Sequence, residues 1–207
     1  MPYSRGSSTN IIVGAAALFV ADTTLTPSTL ETFSTEVSFR ETLTNDAAYT
    51  NVGYTMNGLE LQFQPDFGEV QVDQILDVAK LYKQGMQVNL ATAFAEATLE
   101  NLLLALAFSD DQLTGNKATH SGRVLNLSAG ELGECPVERG IVAVGPGTGD
   151  CATSADVERV YTAYRALSIE NVTVSAKRDE PSMFEVSFRL LPTANGSYGK
   201  IVDRVVG

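Results

Sequence analysis

The chain has no tryptophan, one histidine, two cysteines and few cations: 14 lysines and arginines stand against 25 aspartates and glutamates in 207 residues. Each shortage excludes something. Phosphate contacts dominate nucleic-acid affinity, so a formal net charge of −11 lacks the basic footprint of a DNA or RNA reader. Cys135 and Cys151 are too few for a secreted disulfide scaffold and lack the usual zinc spacing. One bridge between them would close the loop Pro136–Asp150, each could pair with another subunit, or both stay reduced thiols. His120 sits among Thr, Ser and Gly with no second histidine near, which reads as a solvated loop position. HExxH, GxSxG and a Walker loop are missing. The GPGTG run at Gly145–Gly149 lacks the lysine and the strand–helix context of a phosphate cradle, and reads as a turn. Glu96 and Glu100 are a carboxylate pair without the sugar platform that glycosidase chemistry uses. Asp110–Asp111 lacks the alternating oxygen ligands and glycine of a calcium loop. Asn126, Asn171 and Asn195 head sequons that read as chance occurrences. No apolar run approaches the ~20 residues of a membrane span. The run Ile11–Ala21 follows a single arginine, Arg5, and precedes no clear cleavage site, so it reads as a Gly/Ala-rich strand rather than a signal segment. The expectation is a chain that is not an enzyme and holds no cofactor or metal.

What is present is hydrophobic periodicity. The length suits one domain over 1–207, large enough to bury roughly 70% of its unfolded surface. In Gly85–Phe94 the residues Met86, Val88, Leu90 and Phe94 alternate with Gln87, Asn89, Ala91 and Ala93, a strand covering a core on one side. The period then changes. Leu99, Leu102, Leu103 and Leu106 stand at i, i+3, i+4 and i+7, with Thr98 as a cap and Glu100 at the positive end of the dipole. Leu104, Ala105 and Ala107 make the far side apolar too. The helix is therefore expected to plug a β-barrel or sandwich and to offer an outer side to a neighbouring subunit.

Earlier in the chain, 1–10 is a polar arm, Phe33–Phe39 alternates weakly, and 40–58 has no sustained period, which predicts a long interaction loop. LELQFQ then places Leu59, Leu61 and Phe63 on one face and Glu60, Gln62 and Gln64 on the other. PDFG is expected to turn the chain, and EVQVD to return with Glu69, Gln71 and Asp73 outward. The outward face of this hairpin has acids and amides and no cation, whereas solvated strand faces usually mix both signs. Ile75–Lys83 reads as a short helix or crossover, Ser109–Arg123 as a polar loop, and Val137–Val144 and, more weakly, Asp156–Ile169 as strands. A second hairpin is expected from Val172 and Val174 to Phe184–Leu190, followed by an apolar tail at 197–207 that must dock on something. The fold class expected is mainly β: a β-barrel or β-sandwich of two antiparallel sheets with one flanking α-helix and a long inter-strand loop.

Four segments resemble the tail tube (major tail) proteins of long-tailed bacteriophages: GLELQFQPDFGEVQVDQ, GMQVNLATAFAEATLENLLLAL, ENVTVSAKRDEPSMFEVSFRLLP and the closing GSYGKIVD. Their order and spacing agree over about 150 residues, Gly53 to Asp203, and the AEATLENLLLAL and YGKI pieces are the more specific. The resemblance implies six copies joined into a ring with a continuous inner barrel, rings stacked into a tube, and a bore through which double-stranded DNA passes without specific binding. It implies a virion tail protein assembled in the bacterial host cytoplasm. Its partners would be a tail-tip or baseplate initiator, a tape measure protein, a tail terminator and, where the tail is contractile, a sheath. On that reading Glu60, Gln62, Gln64, Glu69, Gln71, Asp73, Gln87 and Asn89 line the bore, and Leu99, Leu103, Leu104 and Leu106 meet the adjacent subunit. Arg40, Glu41, Asp46, Tyr49 and Tyr54 lie in the ring-to-ring loop, joined by the N-terminal arm and the C-terminal tail. Six chains at −11 carry about −66 charges per ring, which would repel phosphate. Other readings are the tube of a contractile injection machine that delivers protein, and a monomeric β-sandwich binding module on a virion surface.

Overall fold

The computed structural model describes residues 12–26, 37–115, 122–133, 135–148, 156–175, 178–179 and 181–206. In chain order the elements are β1 (Ala17–Ala21), α1 (Phe39–Asn45), β2 (Tyr49–Asn51), β3 (Thr55–Val70), β4 (Lys80–Phe94), α2 (Leu99–Ala105), β5 (Leu113–Thr114), β6 (Val124–Leu125), β7 (Arg139–Pro146), β8 (Asp156–Ser168), β9 (Phe184–Leu190) and β10 (Gly199–Val206). β5 and β6 form a small antiparallel pair of their own. The other eight strands make one antiparallel sheet in the order β2-β1-β7-β8-β9-β4-β3, with β10 also on β8.

Strand β8 is the branch point. Its residues 158–166 pair with β7. On its other edge, 156–163 pair with β10 while only 166–168 pair with β9. The sheet therefore forks into two leaves, β2-β1-β7-β8-β10 and β9-β4-β3, and the leaves pack face to face as a sandwich. Leu18, Val20, Ile141 and Ala143 from the first leaf meet Val88, Leu90, Phe94, Val186 and Phe188 from the second. The rings of Phe94 and Phe188 lie 6.4 Å apart, tilted, within the range of favourable aromatic pairs. Helix α2 closes one end of this core with Leu103, Leu104 and Ala105.

Strand β1 is buried on both faces, as its unbroken apolar run demands. Leu18 and Val20 face the sandwich core, whereas Phe19 and Ala21 face a second cluster with Phe39, Leu43, Val142, Val144 and Tyr164. Phe39 and Leu43 belong to α1, so a second helix covers the outside of the first leaf. The fold is thus the expected mainly β sandwich, flanked by two helices rather than one.

Four sequence expectations change. The 40–58 stretch is no loop: it holds most of α1, then β2, which pairs with β1 through Tyr49 and Ala21, and then the start of β3. PDFG (Pro65–Gly68) makes no turn but runs inside β3, and the hairpin instead turns at 71–79, where a helix or crossover was expected from Ile75. Val172 and Val174 lie outside any strand, and the partners of β9 are β4 along its length and β8 at Phe188–Leu190. Of the Phe33–Phe39 alternation, 33–36 fall outside the described residues and Phe39 begins α1. The strand reading of 156–169 holds as β8, and the closing tail docks on its own chain as β10. The N-terminal arm lies outside the described residues.

Candidate functional site: the outer face of the hairpin leaf

Residues directly opposite in a ladder project to the same side of the sheet, so register sorts side chains into faces. In β3–β4, Leu61 opposes Leu90 and Phe63 opposes Val88, which turns that side to the core. The other side carries Glu60 opposite Ala91, Gln62 opposite Asn89 and Gln64 opposite Gln87. Glu60, Gln62 and Gln64 are exposed, and Gln87 and Asn89 are half-buried. The amides order one another: Gln62 donates to Glu60 at 2.8 Å and Gln87 Nε2 donates to Asn89 Oδ1 at 3.4 Å. Five of the eight residues expected to share one face therefore do so.

Glu69, Gln71 and Asp73 do not. Beyond Asp66, opposite Gly85, the next pair is Phe67 with Lys83, so Gln84 is an extra residue on β4. This bulge reverses the alternation of β4 and leaves that of β3 intact. Glu69 consequently shares the side of Phe63 and Phe67, and lies opposite Leu81. Gln71 and Asp73 sit past the end of β3, at the hairpin tip. The sequence reading assumed a turn at PDFG, which would have restarted the alternation. The same bulge moves Tyr82 and Lys80 to the polar side, opposite Gly68 and Val70. A Cβ at Gly68 would fall 2.6 Å from the Tyr82 ring and 2.5 Å from the Gln84 amide, so glycine is what lets these side chains cross the strand.

The neighbouring strand adds what the hairpin lacks. β9 pairs with β4 so that Arg189 opposes Asn89, Ser187 opposes Ala91 and Glu185 opposes Ala93. Arg189 and Glu185 are exposed while Phe184, Val186, Phe188 and Leu190 point into the core. The polar side of the leaf is thus dominated by acids and amides, with Arg189 at its middle and Lys80 towards the tip. The expectation of a face without cations holds for the middle of the hairpin alone. The signal for Arg189 was present in the alternation of FEVSFRL, but the partner strand of that segment was not legible.

The other expected contact residues divide by burial. Leu103 and Leu104 lie in the core of their own chain and are unavailable to a neighbour, whereas Leu99 and Leu106 are half-buried. Arg40 and Glu41 are exposed on α1, and Tyr54 is 80% exposed. Asp46 is occupied locally: its carboxylate accepts from the N–H of Ala48 at 3.0 Å and its carbonyl from the N–H of Tyr49 at 3.1 Å. The Tyr49 phenol is pushed up, first by burial and then by the Asp46 charge. Cys135 is exposed, and a bridge to Cys151 falls outside the described residues.

Elsewhere, a cavity of about 280 Å³ beside α2, bordered by Asp110, Leu113 and Arg123, is lined by paired charges, Arg123 with Glu100 and Arg139 with Asp110 at 2.7 Å. Ser109 donates to Asp111 at 2.6 Å and holds that carboxyl below its ordinary range. An apolar cleft of about 470 Å³ lies at the fork, between the hairpin leaf and β10, where Tyr198 donates its hydroxyl to the Met86 carbonyl at 2.7 Å. Among the described residues no group of three or more His, Cys, Asp or Glu side chains is placed to hold a metal, and no helix is long and apolar enough to cross a membrane. The chain matches no protein-family model, and no curated protein is significantly similar to it.

Proposed function

We propose that this chain is a tail tube subunit of a long-tailed bacteriophage: six copies form a ring, and stacked rings make the conduit for the genome. The observation that carries the reading is the exposed side of the hairpin leaf, where Glu60, Gln62, Gln64, Gln87 and Asn89 are gathered on a sandwich whose opposite side is core. Turned towards a bore, such a surface repels or only weakly touches a polyanion, which suits passage over capture. Two long strands support it further. β3 ends the sheet order and β10 pairs only with β8, so each has an edge with no ladder partner among the described residues. Pairing such edges between copies would close a ring and remove the aggregation hazard of open sheets.

The test is electron microscopy of the purified chain, alone and with its tail-tip initiator. Six-fold rings or tubes are the expected result. A chain that stays monomeric with the initiator present overturns the reading and favours a monomeric binding module.

A further inference from the structure

Arg189 stands in a three-strand row, Gln62–Asn89–Arg189, on the polar side of the hairpin leaf. With strands ~4.8 Å apart the row spans roughly 10 Å. The partner of Arg189 on the other edge of β9, Leu167 of β8, is uncharged, and no ion pair neutralises the guanidinium among the described residues. Glu185 is two rows away along β9, ~13 Å at 3.3 Å per residue, and Glu60 lies two strands and one row off, ~12 Å. Arg189 is exposed and makes no ion pair among the described residues, while Arg139, Arg159 and Arg165 all hold carboxylates. Glu60 is already engaged, since it accepts from Gln62.

We propose that Arg189 and the amides beside it form a phosphate-contact track for duplex DNA, with Arg189 the one cation in the middle of an acid-and-amide face whose other cation, Lys80, lies towards the hairpin tip. The chemistry fits a sugar–phosphate backbone. A guanidinium presents a planar fork that matches two phosphate oxygens. Asn and Gln side chains add neutral hydrogen bonds of the kind that position a protein on a duplex without reading its sequence. A single cation gives each contact a weak, salt-sensitive hold, while Glu60, Asp66 and Glu185 on the same side keep the sum repulsive. DNA on such a track is centred and slowed without being captured. The inference rests on the tube reading and refines it, since the bore would then carry a sparse cation ring in place of none.

The experiment compares wild-type, Arg189→Gln and Arg189→Glu chains after assembly, using co-sedimentation with short fluorescent duplex DNA between about 50 and 200 mM salt. Electron microscopy of the same samples reports whether tubes formed. Wild-type tubes should retain the duplex at low salt and lose it steeply as salt rises. Each engaged arginine contributes about 0.9 to the slope of log K against log salt, so R189Q should flatten the slope and R189E should abolish retention. Tubes that retain the duplex equally in all three chains, or in none, overturn the track and leave the tube standing. Failure of R189E, but not R189Q, to assemble assigns Arg189 to a contact between copies and also overturns the track. Wild-type chains that form no tube, yet retain duplex through Arg189, support the track and overturn the tube.

Discussion

Glu158 on β8 accepts a 2.8 Å hydrogen bond from the backbone N–H of Phe39, the first residue of α1. The Ser38 hydroxyl donates to the same carboxylate, so a strand caps a helix from another part of the chain. This contact explains why a helix of seven residues forms where the sequence offers only Phe39 and Leu43 as apolar anchors. On β10, Arg204 lies opposite Glu158, donates to the Val37 carbonyl at 3.3 Å, and places its guanidinium 5.2 Å from the centre of the Phe39 ring. Glu158→Ala should cost about 1–2 kcal/mol, the scale of a lost helix cap. Urea unfolding would show it as a lower midpoint at unchanged slope, and amide exchange should quicken first in α1.

Asn101 supports a second junction. It is buried on α2, and its amide donates to the carbonyls of Val52 at 2.8 Å and Glu96 at 2.9 Å, while its own N–H is capped by Thr98. Glu96 in turn accepts from the N–H of Tyr54 at 2.9 Å. The end of the supposed loop is therefore stapled to the start of the helix. Asn101→Ala leaves two carbonyls without their donor and should destabilise by about 2–3 kcal/mol. Thermal unfolding of the isolated chain is the measurement, because the loss is internal to one copy.

The placement of α2 separates core from contact. Leu103→Ala should cost about 2–5 kcal/mol in a single chain, as large-to-small changes in a packed core do. An assembly role alone would leave the stability of the monomer unchanged. Leu99 and Leu106 are half-buried, so alanine at either should cost less by the same assay.

The residues that were legible from sequence are those whose partners are near in sequence or whose period is clean. Leu59–Gln64 and Met86–Phe94 alternate as the ladder requires, and the switch from a period of two to 3.6 at Leu99 marks α2 with its Thr98 cap. Pro65 and Gly68 misled because they are ordinarily turn residues. Here β3 is the last strand of the sheet, where a missing N–H is tolerated, and Gly68 makes room for Tyr82 and Gln84. A bulge at Gln84 leaves no mark in composition, yet it decides the side on which Lys80, Lys83 and Glu69 stand relative to one another. Arg189 was invisible as a face residue because strand order, not the strand itself, sets it beside Asn89. The cap on α1 was hidden for a similar reason: Glu158 lies 119 residues from Phe39 in the chain.

The attachment of the C-terminal strand should depend on pH in a defined direction. Arg159 on β8 and Asp203 on β10 are ladder partners, with Nε and Nη2 donating to the two carboxylate oxygens at 2.5 and 2.6 Å. That bidentate hydrogen bond holds the Asp203 carboxyl below its ordinary range and raises the guanidinium further above its own. A carboxyl depressed in the folded state contributes stability that is present above the unfolded value of about 3.9 and is lost as pH falls through the lower, folded value. The pair is exposed, so its contribution is small and screened by salt. The pair is also the polar clasp of a strand that otherwise presents Ile201 and Val205 to solvent. Asp203→Asn should therefore speed amide exchange along Gly199–Val206 at neutral pH and low salt. The difference from wild type should shrink below about pH 4, and should also shrink at high salt. Equal exchange rates for the two chains at neutral pH would mean that the backbone ladder alone holds β10 in place.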